Sequence, residues 1–224
     1  MNDADLFKSE KYNRQRRKVD NMKTCGDSLY TEHDLFHDQG VGEIPTSPLQ
    51  LKIIEIPAIE ACEFNKKWHS RFPIINWSNV VRNPMYVCYS ATNGVECFAV
   101  SIYSTPIAGN RLKNGFKLLE LRRMAIKHTA PKNTASWMLG VTRKLIKRKF
   151  PECIGLISYQ DVDKHRGTIY KASGWLVADE CKFMSWQNRD RNKDQSQSNK
   201  VRWEYMFNKN DLITSKYQVG VQKV

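Results

Sequence analysis

No run in this 224-residue chain approaches the ~18 consecutive apolar residues that a membrane-crossing helix needs, so no such helix is expected. The opening residues, Met1-Asn2-Asp3-Ala4-Asp5, lack the apolar stretch of a secretory signal, and a cytoplasmic protein is the expectation. The six cysteines (Cys25, Cys62, Cys88, Cys97, Cys153, Cys181) include no C-x-x-C pair. Their scatter argues against a structural zinc site and for reduced, mostly buried thiols. Only His33 and His37 have the i,i+4 spacing that lets a helix present two metal ligands, with Asp34 and Asp38 beside them. They lie in a polar stretch away from the other candidate chemistry, and no metal is expected. No internal repeat is present.

Positive charge, by contrast, is abundant. The formal net charge is +13, which attracts polyanions, and nucleic acid is the leading partner class. Cations cluster in Arg14-Gln15-Arg16-Arg17-Lys18 and along Arg143, Lys144, Lys147, Arg148 and Lys149. They crowd again in Arg189, Arg191, Lys193, Lys200 and Arg202. Arg143, Lys147, Arg189 and Arg191 are the candidate nucleic-acid contacts among them. A basic surface serving only solubility is the alternative.

Residues 1–45 show no sustained periodicity and read as a basic, flexible or loosely docked arm. Residues 46–210 form one α/β domain, and 211–224 a tail. The expected elements are a strand over 51–56, a helix over 58–69 and a hairpin, 85–91 with 95–104, about Thr92-Asn93-Gly94. A strand over 116–126 follows, then a helix over 134–150 capped by Asn133 or Thr134 and stopped by Pro151. A buried strand over 153–159, a short helix over 165–173 closed by Gly174, and a hairpin of 182–188 with 201–207 complete the chain. The order β-α-β-β-β-α-β-α-β-β predicts a mixed central sheet with helices on both faces. It resembles the GNAT N-acyltransferase fold. In that family the fourth strand and the following helix hold the acyl donor, and the splayed fourth and fifth strands admit the acceptor.

The polar groups fall where such a fold places chemistry. Pro131-Lys132-Asn133-Thr134-Ala135-Ser136 links strand to helix. Its helix-start amides, with the Asn133 and Ser136 side chains, either bind an anionic donor or merely cap the helix. The corresponding GNAT turn is usually glycine-containing, and here the glycines are absent. Alternation puts Arg122 and Arg123 on opposite faces of their strand, so one should point to the ligand side, toward an anion or a carboxylate. Asp161, ending its strand, either accepts a proton and holds an amine or caps the helix near His165. Tyr170 is either a general acid, as GNAT enzymes often keep a tyrosine there, or a packed aromatic. His69, in Lys66-Lys67-Trp68-His69-Ser70-Arg71, suits proton transfer or base recognition, or is a surface residue. Trp68, Trp77 and Trp175 are either stacking platforms for a base or core.

Four segments together resemble the Mom family of phage DNA-modification proteins. They are Lys67-Trp68-His69-Ser70, Leu121-Arg122-Arg123-Met124, Pro131 to Ser136, and Ser158-Tyr159-Gln160-Asp161 with His165-Arg166-Gly167-Thr168-Ile169-Tyr170-Lys171-Ala172-Ser173-Gly174-Trp175. The chain departs from the family's pattern in Trp68-His69, where a His-Tyr pair is common, and in Gln160, where Ala is common. The resemblance, spanning about residues 55–205, implies conversion of adenine in double-stranded DNA to N6-carbamoylmethyladenine, which shields phage DNA from host restriction. It implies His69, Asp161 and Tyr170 as catalytic residues and Arg123 and Ser136 as donor-binding ones, and the placement of Arg122 and Asn133 beside them adds both as donor-binding candidates. The donor is either a glycyl-tRNA or a CoA thioester such as acetyl-CoA. A conventional acetyl-CoA-dependent N-acetyltransferase acting on a protein, tRNA or small amine is the alternative.

Overall fold

The structure, a computed structural model, describes residues 44–69, 74–107, 117–181 and 198–208. Ahead of the sheet, a 3-10 turn at Pro48–Gln50 is held by a capping box in which Ser47 and Gln50 satisfy each other's backbone amides. Seven strands then form one sheet. They are β1 (Lys52–Glu55), β2 (Tyr86–Thr92), β3 (Cys97–Ser104), β4 (Leu118–Ile126), β5 (Gly155–Asp161), β6 (Leu176–Cys181) and β7 (Lys200–Met206), in spatial order β1-β2-β3-β4-β5-β7-β6. Every neighbouring pair is antiparallel except β4 with β5.

Helices α1 (Ala58–Trp68) and α2 (Trp77–Val81) cover one face, packing Ala61, Phe64 and Val80 on Val100, Ile102 and Ala125. Helices α3 (Thr134–Lys149) and α4 (Thr168–Ala172) cover the other, where Met138, Leu139, Ile146 and Tyr170 meet Leu119, Leu121, Leu156 and Trp203. Burial of these large apolar side chains on both faces is the main stabilising term. Sequence patterning anticipates this mixed sheet with helices on both faces. It misses α2, a single short turn capped by Asn76, whose Oδ1 accepts the Ser78 amide at 2.9 Å.

The last hairpin differs from expectation. Leu176–Cys181 pairs with β7, whereas 182–188 lies outside the described residues. β6 is an edge strand in which Leu176 and Val177 are half exposed, so the alternation that marks a half-buried strand is missing from it. The fourth helix also starts later than 165. Gly167 is its N-cap in left-handed conformation (φ 70°), and His165 sits in the preceding loop. The expected arm, the C-terminal tail, and His33, His37, Arg189 and Arg191 lie outside the described residues.

Candidate active site

The parallel pair β4–β5 is joined only from Leu118–Gly155 to Leu121–Ser158. Beyond Leu121, β4 continues on β3 as far as Ile126, and β5 continues on β7 as far as Asp161. The two strands therefore diverge at their carboxyl ends, where a parallel sheet opens its ligand crevice. At the same point β4 carries a bulge: Ile102 faces Arg123 while Tyr103 faces Leu121, leaving Arg122 as the extra residue. The bulge resets the alternation. Arg122 and Arg123 therefore share a face, correcting the expectation that they point oppositely. Arg122 Nη1 donates to Ser104 Oγ at 3.1 Å, and its Nε lies 3.7 Å from Glu120. Arg123 lies close enough to His69 and Cys62, both on the α1 side, to perturb their protonation.

His69 caps the carboxyl end of α1, its amide donating to Asn65 O at 2.9 Å. Burial pulls its imidazole down to about 4, with Arg123 and His165 adding to the shift. The imidazole is thus neutral at physiological pH and able to accept a proton. Glu120, buried on the same face, is shifted upward by its burial, opposed by Arg122 and by the Ile107 amide, which donates to it at 3.1 Å. Alternation along β5 puts Asp161 on this face too, opposite Ser158 and Gln160. Asp161 is buried and accepts the Asp163 amide at 3.1 Å, while its carbonyl accepts from Lys164 and His165. It shapes the 161–165 turn and does not cap α4, as the expected alternative had it.

The opposite face holds a groove of about 230 Å³ lined by Asn133, Thr134, Ala135 and Ser136 at the start of α3 and by Thr168, Ile169 and Ala172 of α4. The first-turn amides of α3 have no intrahelical acceptors, and the helix dipole adds positive potential. Asn133 is in the left-handed region (φ 69°), the one such non-glycine residue among those described, and its side chain caps nothing. Asparagine tolerates that region, which is how the turn closes without glycine. Thr134 Oγ1 donates to Pro131 O at 2.6 Å, and Ser136 Oγ to Asn133 O at 3.1 Å. The Thr134 amide donates to Pro131 O at 3.2 Å, so an anion at this turn would meet the later first-turn amides and the Asn133 side chain.

Tyr170 packs on the α3–α4 face. Its hydroxyl meets Ser158 Oγ at 2.8 Å just where β4 and β5 part, its ring stacks on Trp203 at 5.3 Å, and burial raises its pKa, keeping the phenol protonated. It is a packed aromatic whose hydroxyl is held on Ser158. Gln160, which the sequence marks only as a departure from the family's alanine, braces the following loop. Its Nε2 donates to His165 O, and its Oε1 accepts Trp203 Nε1 at 2.7 Å.

Other candidates are employed structurally. Trp175 is 2 % exposed in the core, which removes it as a stacking platform. Trp68 is half-buried, with its ring 5.1 Å from His128 and the Lys127 ammonium 5.7 Å above it, and Trp77 packs against the α1 core. Arg202 is buried, with Nε 2.9 Å from Glu204. Arg143 donates to Ser173 O at 2.6 Å, and Lys147 to Pro151 O at 2.8 Å. Among the described residues no three His, Cys, Asp or Glu side chains gather as a metal site, and no helix is long and apolar enough to cross a membrane.

A mixed sheet that splays at β4–β5, bulges on β4 and sends β4 into α3 is the GNAT acetyltransferase architecture. Solved structures share it. Arabidopsis thaliana NAA60 in complex with acetyl-CoA is 13% identical with TM-score 0.52, covering 70% of this chain and 98% of its own. A Bacillus subtilis acetyltransferase in complex with CoA is 13% identical with TM-score 0.50, covering 70% of this chain and 99% of its own. No curated protein matches by sequence. The Mom protein family model matches residues 50–222, and the chain belongs to that family.

Proposed function

We propose that this chain is an acyltransferase-type enzyme that converts adenine in double-stranded DNA to N6-carbamoylmethyladenine, protecting phage DNA from host restriction. The observation carrying this reading is a two-sided site: a groove suited to an anionic donor on the α3–α4 face and a His69–Arg123 pair with Asp161 on the other. Membership of the Mom family supports the choice of DNA adenine as substrate, which the sequence resemblance implies.

The product is an isomer of adenine acylated by glycine. The adenine N6 attacks the carbonyl of an activated glycyl donor, the carbonyl–oxygen or carbonyl–sulfur bond breaks, and the leaving group takes a proton from Tyr170. Asp161 orients the amine and receives its proton, with the neutral His69 as the second base. The freed glycyl amine then bonds to ring carbon 6, the original C6–N6 bond breaks, and the old N6 becomes the terminal amide. Asn133, Ser136 and the α3 amides hold the donor's phosphates, and Arg123 the carbonyl oxygen as charge develops. The base must leave the duplex to reach the gap.

Mass spectrometry of nucleosides from plasmid DNA in cells expressing the chain tests the reading. The expected result is an adenine heavier by a carbamoylmethyl group, absent with Asp161→Ala. Unmodified adenine from well-expressed protein would overturn it. The second reading, an acetyl-CoA-dependent N-acetyltransferase on a protein, tRNA or small amine, draws on the pyrophosphate-sized turn and on the CoA bound by structures of this fold. It predicts thermal stabilisation by acetyl-CoA without DNA modification.

A further inference from the structure

Beyond Ser158 the edge of β5 parts from β4, and Tyr159, Gln160 and Asp161 pair with Arg202, Val201 and Lys200 of β7. Lys200 therefore stands directly across from Asp161, one strand removed from the gap. Partners in a cross-strand pair share a face, with Cβ atoms about 5 Å apart. Lys200 thus faces the side of His69, Arg123 and Asp161, where the acceptor amine loses its proton. The alternation of β7 agrees, since Trp203, three residues on, packs on the α3–α4 face. The Lys200 side chain is half-buried, and its charge reaches Glu120 on the far side of β5, where it opposes the burial-driven rise of that carboxyl.

The other cations on β4 and β7 are committed. Arg122 donates to Ser104 and lies against Glu120. Arg123 donates to the Arg122 carbonyl at 2.6 Å. Arg202, 2 % exposed, is held between Glu204 and Asp179. Lys200 makes no hydrogen bond or ion pair among the described residues. A half-buried ammonium with no partner gives up hydration for nothing in the free protein, so it suits an anion that arrives with a substrate. The donor groove opens on the opposite face, which assigns that anion to the acceptor. A protonated amine acceptor would be repelled by an ammonium beside Asp161. A nucleotide turned out of its duplex instead brings a phosphate on either side of its sugar. A compact charge on a flexible four-carbon stem can follow such a phosphate into place.

We propose that Lys200 is a substrate-contacting residue that binds the backbone phosphate next to the extruded adenine and so fixes the flipped nucleotide in the gap between β4 and β5. The inference rests on the DNA-adenine reading above for the identity of the base, but not for the phosphate contact itself.

The test compares the full-length protein with Lys200→Gln and Lys200→Arg, neither of which removes a bond from the fold. The probes are two DNA duplexes with 2-aminopurine in place of one adenine. One has native linkages, and the other has uncharged methylphosphonates on both sides of the 2-aminopurine. Anisotropy reads affinity, and 2-aminopurine fluorescence reads extrusion. On the native duplex, Lys200→Gln should weaken binding about tenfold, flatten the log–log salt slope by about 1 and reduce extrusion, while Lys200→Arg recovers most of each. The uncharged linkages should weaken the wild type by a similar factor and Lys200→Gln by less than about twofold, because the contact they remove is already gone. Equal losses for Lys200→Gln on both duplexes would place its charge on some other group, and unchanged affinity would leave it idle; either overturns the proposal. Nucleoside mass spectrometry of DNA from cells expressing the same proteins separates the two ideas. Coupling between Lys200 and the linkages, with no modified adenine from the wild type, sinks the DNA-modification reading alone. Modified adenine from the wild type without that coupling sinks the Lys200 contact alone.

Discussion

His69 shows how one side chain is set by its surroundings. A burial-depressed imidazole is neutral in the fold and charged in the unfolded chain wherever pH lies between about 4 and the ordinary 6.5. The unfolded state then binds more protons, so this group's stabilisation is present above about 6.5 and is lost as pH falls toward 4. His69→Gln should flatten the pH dependence of chemical denaturation over that window, and the wild-type imidazole should titrate by NMR near 4. Titration near the ordinary value would remove the Arg123 and His165 neighbourhood from the account. Tyr170→Phe is the complementary substitution. It removes the hydroxyl 2.8 Å from Ser158 but keeps the stack on Trp203. Modification activity should fall about 10²-fold for a lost general acid, with only about 1 kcal/mol of stability lost with the hydrogen bond. Equal activity would leave Tyr170 as packing alone.

At the scale of elements, two turns decide whether the donor groove exists. A Cβ added to Gly167 would sit 2.5 Å from both Gln160 Oε1 and Trp203 Cζ2, at a φ of +70° that side chains rarely adopt. Gly167→Ala should therefore cost about 2 kcal/mol or more, read as a lowered denaturation midpoint. Asn133→Ala, at the other turn, should cost about 1 kcal/mol because alanine tolerates the left-handed region less well. How much of this was legible in the sequence follows from what each feature depends on. The α3 start was readable, since Asn133, Thr134 and Pro151 mark helix ends by local chemistry. The Arg122 bulge was not. It exists because Ile102 pairs with Arg123 and Tyr103 with Leu121, a register set across strands that no local residue announces. The start of α4 was misplaced because the Asp161 turn, which His165 closes, resembles a first helical turn until Gly167 adopts positive φ. Gln160 drew notice only as a departure, since its partner Trp203 lies 43 residues away.

Over the whole molecule, net charge overstates the free positive surface. Arg202 is held by Glu204, Lys149 by Glu55 and Lys127 by Glu96, while Arg143 and Lys147 are tied to backbone carbonyls. The basic run Arg14 to Lys18 is also offset within its own stretch, because residues 1–43 hold seven Lys and Arg against nine Asp and Glu. Residues 44–224 therefore carry a net +15, offset to +13 by the acidic balance of the first 43. Each phosphate neutralised contributes a fixed increment, about 0.9, to the slope of log affinity against log salt for duplex DNA. With many cations already engaged, that slope should be roughly −4 to −7, well short of what the formal charge would allow. Removing residues 1–43 should change it by less than about 1, because the deleted stretch brings no net cation. Titrating binding across salt for the full and shortened chains measures both quantities. A slope that collapses on shortening would place the grip on Arg14 to Lys18 and favour a DNA-binding role in which the sheet's chemistry is secondary. A slope that persists leaves recognition with the folded domain, on the surfaces that flank the gap between β4 and β5.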